Sequence, residues 1–387
     1  MYRKMKQNRS KRNKMRNIRK ILVAVLCGVC FCACASQNDK EVWQQKDTIE
    51  QWREKESETK KENQSLTSAH NITVIPLTTA TLLPTVMPMP TAPLLPDTEA
   101  PVITLTEGEY LEVIARTEFT EPGYTAEDDR DGMLTEQVCV TGEVDVNRCD
   151  TYTLMYEVTD TAGNQTSVQR TVVVKQPEEI IPEGKVVYLT FDDGPGKYTE
   201  ELLEILERHN VKATFFTCGN GKPDLVTKIY EAGHTVGIHC RNHDYKVVYT
   251  SEEVYFEDLF AMQDLIYECT GIRTTLVRFP GGSSNTSSSY NPGIMTRLTQ
   301  ELELQGFQYF DWNVSSSDVN TKDTAEILEN MKKGIQERDC SIVLQHAETR
   351  ESSVAAVEDL IVWALENGYT FMQLDATSPK SHHRIFN

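Results

Sequence analysis

The chain has 387 residues and a formal net charge of -19 at pH 7. That length suffices for two or three domains. The first twenty residues carry ten Lys/Arg and no acid, so the remainder stands near -29, a surplus that repels nucleic acid and excludes it as a partner.

An apolar run at residues 21–35 directly follows the basic segment. Basic region, short apolar region and small residues together make a secretory signal over residues 1–35. Three fates are open to it. Ala33-Cys34-Ala35 fits a cleavage site, and Phe31-Cys32-Ala33-Cys34 is a weak match to a lipoprotein box. Left uncut, the run is a membrane anchor, though a short one for about 30 Å of hydrocarbon. Each fate puts the body outside the membrane, either secreted or held at the cell surface or wall. Six cysteines remain beyond the signal, at 139, 149, 218, 240, 269 and 340. An even number outside the cell permits disulfides without fixing their pairing, and Cys139 with Cys149 is the best local pair.

Residues 36–100 form the next segment. They are polar and charged to about residue 63, then rich in Thr and Pro, with prolines at 76, 84, 88, 90, 93, 96 and 101. Prolines at that density break helices and deny a sheet its donors. The segment therefore reads as an extended spacer. Residues 101–176 have a different texture, with strand-like runs such as Val102-Ile103-Thr104-Leu105 and Tyr152-Thr153-Leu154-Met155-Tyr156 set between Asp/Gly turns. Five or more short strands in that length make a small β-sandwich. With Asp131-Gly132-Met133-Leu134-Thr135 and Tyr156-Glu157-Val158-Thr159-Asp160-Thr161-Ala162-Gly163-Asn164, the segment resembles bacterial surface immunoglobulin-like domains, which act as spacers or weak adhesion modules. Asp128, Asp129 and Asp131 offer oxygen ligands for calcium, although a solvated turn is the commoner fate of such a cluster.

From 185 to 377 the texture changes again. Apolar runs at 186–190, 213–217, 235–238, 275–279, 307–312, 341–346 and 369–374 alternate with amphipathic helical stretches. Thr250-x-x-Glu253 offers a capping box ahead of one of these, and Gly271 a stop. Strands joined by single helical crossovers are parallel. The expected class is α/β, a short TIM-like barrel behind the sandwich, with its chemistry at the carboxyl ends of the strands.

Reading only those ends collects a consistent set. The first run closes on Asp192-Asp193-Gly194-Pro195, the third leads into His239-Cys240-Arg241-Asn242-His243, and the fourth ends in Arg278-Phe279-Pro280-Gly281-Gly282. The fifth ends in Asp311-Trp312 and the sixth in Gln345-His346. A lone Asp-Asp-Gly is usually a solvated turn. Two converging carboxylates, however, require a cation between them or a base role for one. His239 and His243 at i and i+4 would share one face of a helical turn and can share a metal. Cys240 follows the first His where a zincin helix has Glu, so the base must come from elsewhere.

These motifs, in this order and across roughly half the chain, resemble the polysaccharide deacetylases of carbohydrate esterase family 4. The resemblance implies a distorted (β/α)7 barrel and hydrolysis of N-acetyl groups. It implies that Asp193, His239 and His243 bind a divalent metal, zinc first, with cobalt or manganese as alternatives. Asp192 would be the base, held ionised by Arg278. His346 would be the acid, tuned by Asp311. Pro280, Gly281, Trp312 and Leu344 would form the substrate pocket, with the Gly281 N–H facing the oxyanion. Two departures stand out. Cys240 occupies a position where the family commonly has Ser or Thr, and Gly281 replaces an aromatic residue, which removes a wall of the sugar groove. The implied substrate is a β-1,4-linked amino sugar polymer, with peptidoglycan N-acetylglucosamine ahead of chitin oligomers and acetylated xylan. A surface adhesin that binds glycan without turnover is the competing reading. His234, His382 and His383 read as structural or solvated.

Overall fold

The computed structural model describes residues 95–387. The expected signal (1–35) and all but the last few residues of the expected spacer lie outside the described residues. Among the described residues no helix is long and apolar enough to cross a membrane.

The first strands are β1 (Val102–Leu105), β2 (Tyr110–Ile114), β3 (Tyr124–Asp128), β4 (Gly132–Met133), β5 (Cys139–Thr141), β6 (Thr151–Thr159) and β7 (Gln165–Lys175). They form two sheets, ordered β1-β3-β4 and β2-β7-β6-β5. From Leu154 to Val158 of β6, fully buried residues alternate with half-buried ones, as expected of a strand with one face on a core. Ile103, Ala126, Leu134, Leu154, Tyr156, Val158 and Val172 make that core. Cys139 and Cys149 are both free thiols, so the pairing expected from their spacing is not formed. Cys149 instead gives its N–H to the Leu304 carbonyl in the next domain.

Seven parallel runs follow. β8 (Val186–Asp192), β9 (Thr214–Cys218), β10 (Thr235–Cys240), β11 (Leu276–Val277), β12 (Gln308–Tyr309), β13 (Val314–Ser315), β14 (Cys340–Gln345) and β15 (Thr370–Met372) carry them, the fifth run being split into β12 and β13. Every residue of β8 is buried, which is why it reads as a continuous apolar run rather than an alternating one. The helices between them are α1 (Thr199–Arg208), α2 (Pro223–Glu231), α3 (Tyr245–Val248), α4 (Glu252–Thr270), α5 (Ile294–Leu304), α6 (Thr324–Gln336) and α7 (Glu351–Glu366). The cap of α4 is Ser251, which accepts from the Val254 N–H one register beyond the expected box, and Gly271 at φ 73° ends the helix.

Two irregularities distort the (β/α)7 barrel. One flank of β8 pairs with β14 from Val186 to Phe191. Its other flank is shared, with β15 against Val186, Val187 and Tyr188 and β9 against Thr190, Phe191 and Asp192. The second irregularity lies in the fifth run. Its start pairs with β11 and its end with β14, so the run crosses between two neighbours with a break at residues 310–313. That break misleads the sequence reading of the site.

The sandwich docks on the carboxyl end of α5. Helix ends leave carbonyls without intrahelical partners, and here the sandwich supplies donors. Cys149 N–H reaches Leu304 (2.7 Å), Arg116 Nε reaches Gln305 (2.7 Å), and Gln176 Nε2 reaches Glu303 (2.6 Å). The Arg116 guanidinium lies 3.9 Å over the Phe307 ring, a stacking that adds attraction to the hydrogen bond.

Candidate active site

Side chains alternate along a strand, so the inward positions of the barrel can be followed to its mouth. Tyr188, Phe216, Leu276, Phe310 and Ile342 pack together inside. Carrying each alternation one or two steps onward reaches Asp192, Cys218, Arg278, Trp312, Leu344 and His346. In β10 a register irregularity between Ile238 and Cys240 brings His239 to the same mouth.

Asp192 and Arg278 are almost fully buried and paired, Nη1 to Oδ1 at 3.0 Å. The guanidinium is fixed on every side. It also donates to Thr190 Oγ1 (2.5 Å), the Phe310 carbonyl (2.8 Å) and the Asp311 carbonyl (3.2 Å), and lies 4.3 Å from the Phe216 ring. A planar fork with five donors suits this role, and Lys could not replace it. Asp192 Oδ2 has no hydrogen-bond partner among the described residues and is the oxygen left for chemistry.

Asp193 has φ 68°, a left-handed conformation that Asp tolerates better than most residues. It turns the second carboxylate toward the same mouth as the first. His239 Nε2 lies 3.3 Å and His243 Nε2 3.2 Å from Asp193 Oδ1, an oxygen that is buried and has no hydrogen bond. His239 gives Nδ1 to the Arg278 carbonyl at 2.8 Å, which leaves Nε2 to face the acid. The two histidines do not lie on a helical turn as the spacing suggested. β10 continues through Cys240, and His243 stands in the loop beyond it. The Asp258 carboxylate holds that loop by accepting from the N–H groups of Arg241 (2.6 Å) and Asn242 (2.8 Å).

The electrostatics call for a cation here. Burial by itself would push His239 down, but the charges of Asp192 and Asp193 outweigh it and raise His239 to about 10. Burial works to raise Asp193, while the imidazoles of His239 and His243 facing it hold it well below the usual carboxylate range. An orphaned carboxylate oxygen facing two imidazole nitrogens fits a divalent metal. Cys218 also offers a donor within 4.8 Å of Asp193 and His239. Its thiol sits 3.3 Å from Cys240 Sγ, and that hydrogen bond and burial push it far up. His243 Nε2, 3.2 Å from Asp193 Oδ1, is the alternative third donor.

The fifth run corrects one expectation. Asp311 does not touch His346. Its carboxylate accepts from Ser283 N–H (2.8 Å), Ser283 Oγ and His383 N–H (2.9 Å), so it staples the 281–283 loop and the C-terminal tail. The partner of His346 is Asp318, with Nδ1 to Oδ1 at 2.9 Å and the His346 N–H to Oδ2 at 2.7 Å. Ser353 Oγ from α7 also donates to Asp318, at 2.7 Å. Burial opposes a charge on His346, but the hydrogen bond and charge of Asp318, aided by Asp192 and Asp193, raise it above its ordinary value. The sequence signal was present, because Asp318 stands just past β13 at the true carboxyl end of the fifth run. Reading 307–312 as the whole strand stopped too early.

Two further residues were missed. Glu348 is fully buried two residues after His346 and bonds Thr199 Oγ1 at 2.7 Å. Burial, with the fields of Asp192 and Asp193, raises it to about 8. Gly194 leaves room for it, since a Cβ there would fall within 1.8 Å of the Glu348 carboxylate. Tyr245 lies edge-on to His243, ring centroids 5.2 Å apart.

Among the expected substrate residues, Gly281 is exposed at φ 74° and its N–H has no partner among the described residues. The Pro280 carbonyl is held by Tyr249 Oη at 2.8 Å. Leu344 is buried in β14 beside Thr190. Trp312 is half-buried and packs edge-on against His383. The tail histidines are not solvated. His382 stacks on Tyr309 at 3.7 Å, and His383 Nε2 meets the Trp312 carbonyl at 2.6 Å. A cavity of about 630 Å³ opens by His234, Thr235 and Leu276 at the other end of the strands and contains none of these groups.

The family models for polysaccharide deacetylase and for the Ig-like domain of bacterial surface proteins match residues 180–292 and 103–174. A peptidoglycan-N-acetylglucosamine deacetylase of Bacillus cereus is 36% identical over 212 residues, covering 52% of this chain and 73% of that one. The chain belongs to the polysaccharide deacetylase family. The chain is also 29% identical over 196 residues to a peptidoglycan-N-acetylmuramic acid deacetylase of Bacillus subtilis, covering 49% of this chain and 70% of that one. The catalytic domain of a peptidoglycan N-acetylglucosamine deacetylase from Eubacterium rectale is 47% identical with a TM-score of 0.53, covering 55% of this chain and 98% of that domain. This enzyme class sets aside the non-catalytic adhesin.

Proposed function

We propose that the chain is an exported, metal-dependent hydrolase that removes N-acetyl groups from N-acetylglucosamine in peptidoglycan. One observation carries the reading. Two histidine nitrogens and a third, from His346 (3.8 Å), surround the Asp193 carboxylate, with the buried Asp192–Arg278 pair alongside. A signal-like amino end and a surface-type immunoglobulin-like domain support export. The names of the relatives support the polymer.

Asp193, His239 and His243 would hold the metal, and an oxygen and imidazole set suits zinc, cobalt or manganese. When bound, the metal supplies an activated water and polarises the acetyl carbonyl. Asp192 Oδ2 takes a proton from the attacking water, while Arg278 prevents the carboxylate from turning away. The water oxygen bonds to the acetyl carbon, and the Gly281 N–H faces the oxygen that gains charge. His346, protonated on Nε2 and held through Nδ1 by Asp318, gives its proton to the sugar nitrogen as the C–N bond breaks. Acetate and a free amine leave. Leu344 and Trp312 wall the methyl group.

Acetate release tests this on peptidoglycan with acetylated glucosamine or acetylated muramic acid, on chitin oligomers and on acetylated xylan, after chelation and metal add-back. The muropeptide with N-acetylglucosamine should be preferred, and activity should return only with metal. Full activity in the chelated enzyme would refute the metal role, and preference for xylan the substrate. Elemental analysis gives a second readout: His239→Ala with His243→Ala should lose bound metal. Unchanged content would overturn the ligand set.

A further inference from the structure

We propose that Asp97, Asp128 and Asp129 form a calcium site at the entrance to the immunoglobulin-like domain. A carboxylate oxygen from each lies within 4.8 Å of the other two. Ligands of one calcium ion sit at about 2.3–2.6 Å from it, so two of them can be no more than about 5 Å apart. The three carboxylates meet that limit.

A cluster of acids alone would be a solvated turn. What separates this one is Asp128, which is only 5% exposed. Its Oδ1 accepts from the N–H groups of Arg130 (2.9 Å) and Asp131 (2.8 Å), which fixes the side chain. Its Oδ2 is buried and has no hydrogen-bond partner. A buried carboxylate oxygen without a partner is strongly unfavourable unless a cation meets it. Asp129 makes no hydrogen bond or ion pair among the described residues. The cation that pairs with the cluster among the described residues, Arg130, lies 3.8 Å from Asp97 and gives Nη1 to the Leu95 carbonyl. Three acids against one guanidinium leave two negative charges, which a divalent ion balances. The donors are all oxygens, with no imidazole or thiolate, and that selects a hard ion over zinc.

Asp97 precedes β1, whereas Asp128 is the last residue of β3 and Asp129 opens the turn after it. A shared ion therefore ties Asp97 to the end of β3. Sites of this kind in extracellular modules bind calcium at about 0.1–1 mM, so occupancy would follow the calcium of the surroundings.

Calorimetric titration of calcium into the chelated full chain tests the proposal. The His239→Ala, His243→Ala chain serves as background, so that the barrel makes no contribution. One calcium per chain should bind with a dissociation constant of about 0.1–1 mM. Asp128→Asn keeps the Oδ1 acceptor of the turn, and Asp97→Ala lies ahead of every strand; each should weaken binding at least about tenfold. Calcium should also slow proteolysis at residues 95–101 in the parent and not in Asp97→Ala. No binding at about ten times that concentration, or equal affinity in the parent and both variants, would overturn it.

Discussion

Replacing Asp318 by Asn separates the partner seen in the structure from the one its neighbour in sequence suggested. Asp318 supports His346 with one charged hydrogen bond to Nδ1 and one to the backbone N–H. Asn can still accept at Oδ1, but its amide nitrogen cannot accept the second donor. A hydrogen bond to a charged group contributes about 1.5–3 kcal/mol. At about 1.4 kcal/mol per pKa unit, losing that support lowers His346 by about one to two units. The sign follows from the role. His346 is raised in the folded protein and in the proposed mechanism acts protonated, so activity should persist below its pKa and fall above it. A metal on Asp193 would cancel that acid's help, leaving Asp318 as the main support. In Asp318→Asn the descending limb of kcat against pH should move to lower pH by one to two units, to order of magnitude. Turnover of the N-acetyl substrate at neutral pH should fall about 10- to 100-fold. An acetyl ester, whose leaving group needs less protonation, should lose less. Asp311→Asn should leave the limb in place. An unmoved limb in Asp318→Asn, or an equal movement in Asp311→Asn, would refute the assignment.

Asp192→Asn should remove about 100-fold or more of turnover while elemental analysis finds the metal still bound; loss of metal would make Asp192 a ligand instead. Glu348 has its folded pKa raised to about 8, above the ordinary carboxyl range. Between those values the folded state keeps a proton that the unfolded state releases, so stability falls as pH rises through that window. In metal-stripped protein, Glu348→Gln should flatten the fall in Tm between about pH 5 and 8, and an unchanged slope would show the group is not buried as described. Gly306 and Gly271 both have φ near +75°, but a Cβ on Gly306 would lie 2.8 Å from Ala115 Cβ whereas one on Gly271 meets nothing within 4 Å. Each Ala substitution costs about 1–2 kcal/mol for the left-handed backbone. Only Gly306→Ala should add a further drop in Tm, by forcing the sandwich off α5, and equal drops would argue against that docking.

The residues gathered at the mouth were legible in the sequence wherever they rode on strand ends with a fixed alternation. β8, β10, β11 and β14 are apolar runs whose carboxyl ends carry or lead into Asp192, His239, Arg278 and His346, and parallel strands must end on one side of the barrel. Local pattern therefore decided both the α/β class and the residues of the mouth. It could not decide who partners whom. The fifth run breaks at 310–313 because its two halves pair with different neighbours, β11 and β14, a long-range choice with no local signature. That break turns Asp311 toward Ser283 and brings Asp318 to His346. The same holds for the cysteines. Ten residues of separation made Cys139 and Cys149 look like a pair, yet both stand as free thiols. Short periods in the chain record which face a residue shows, and only the packing of distant segments determines what that face meets.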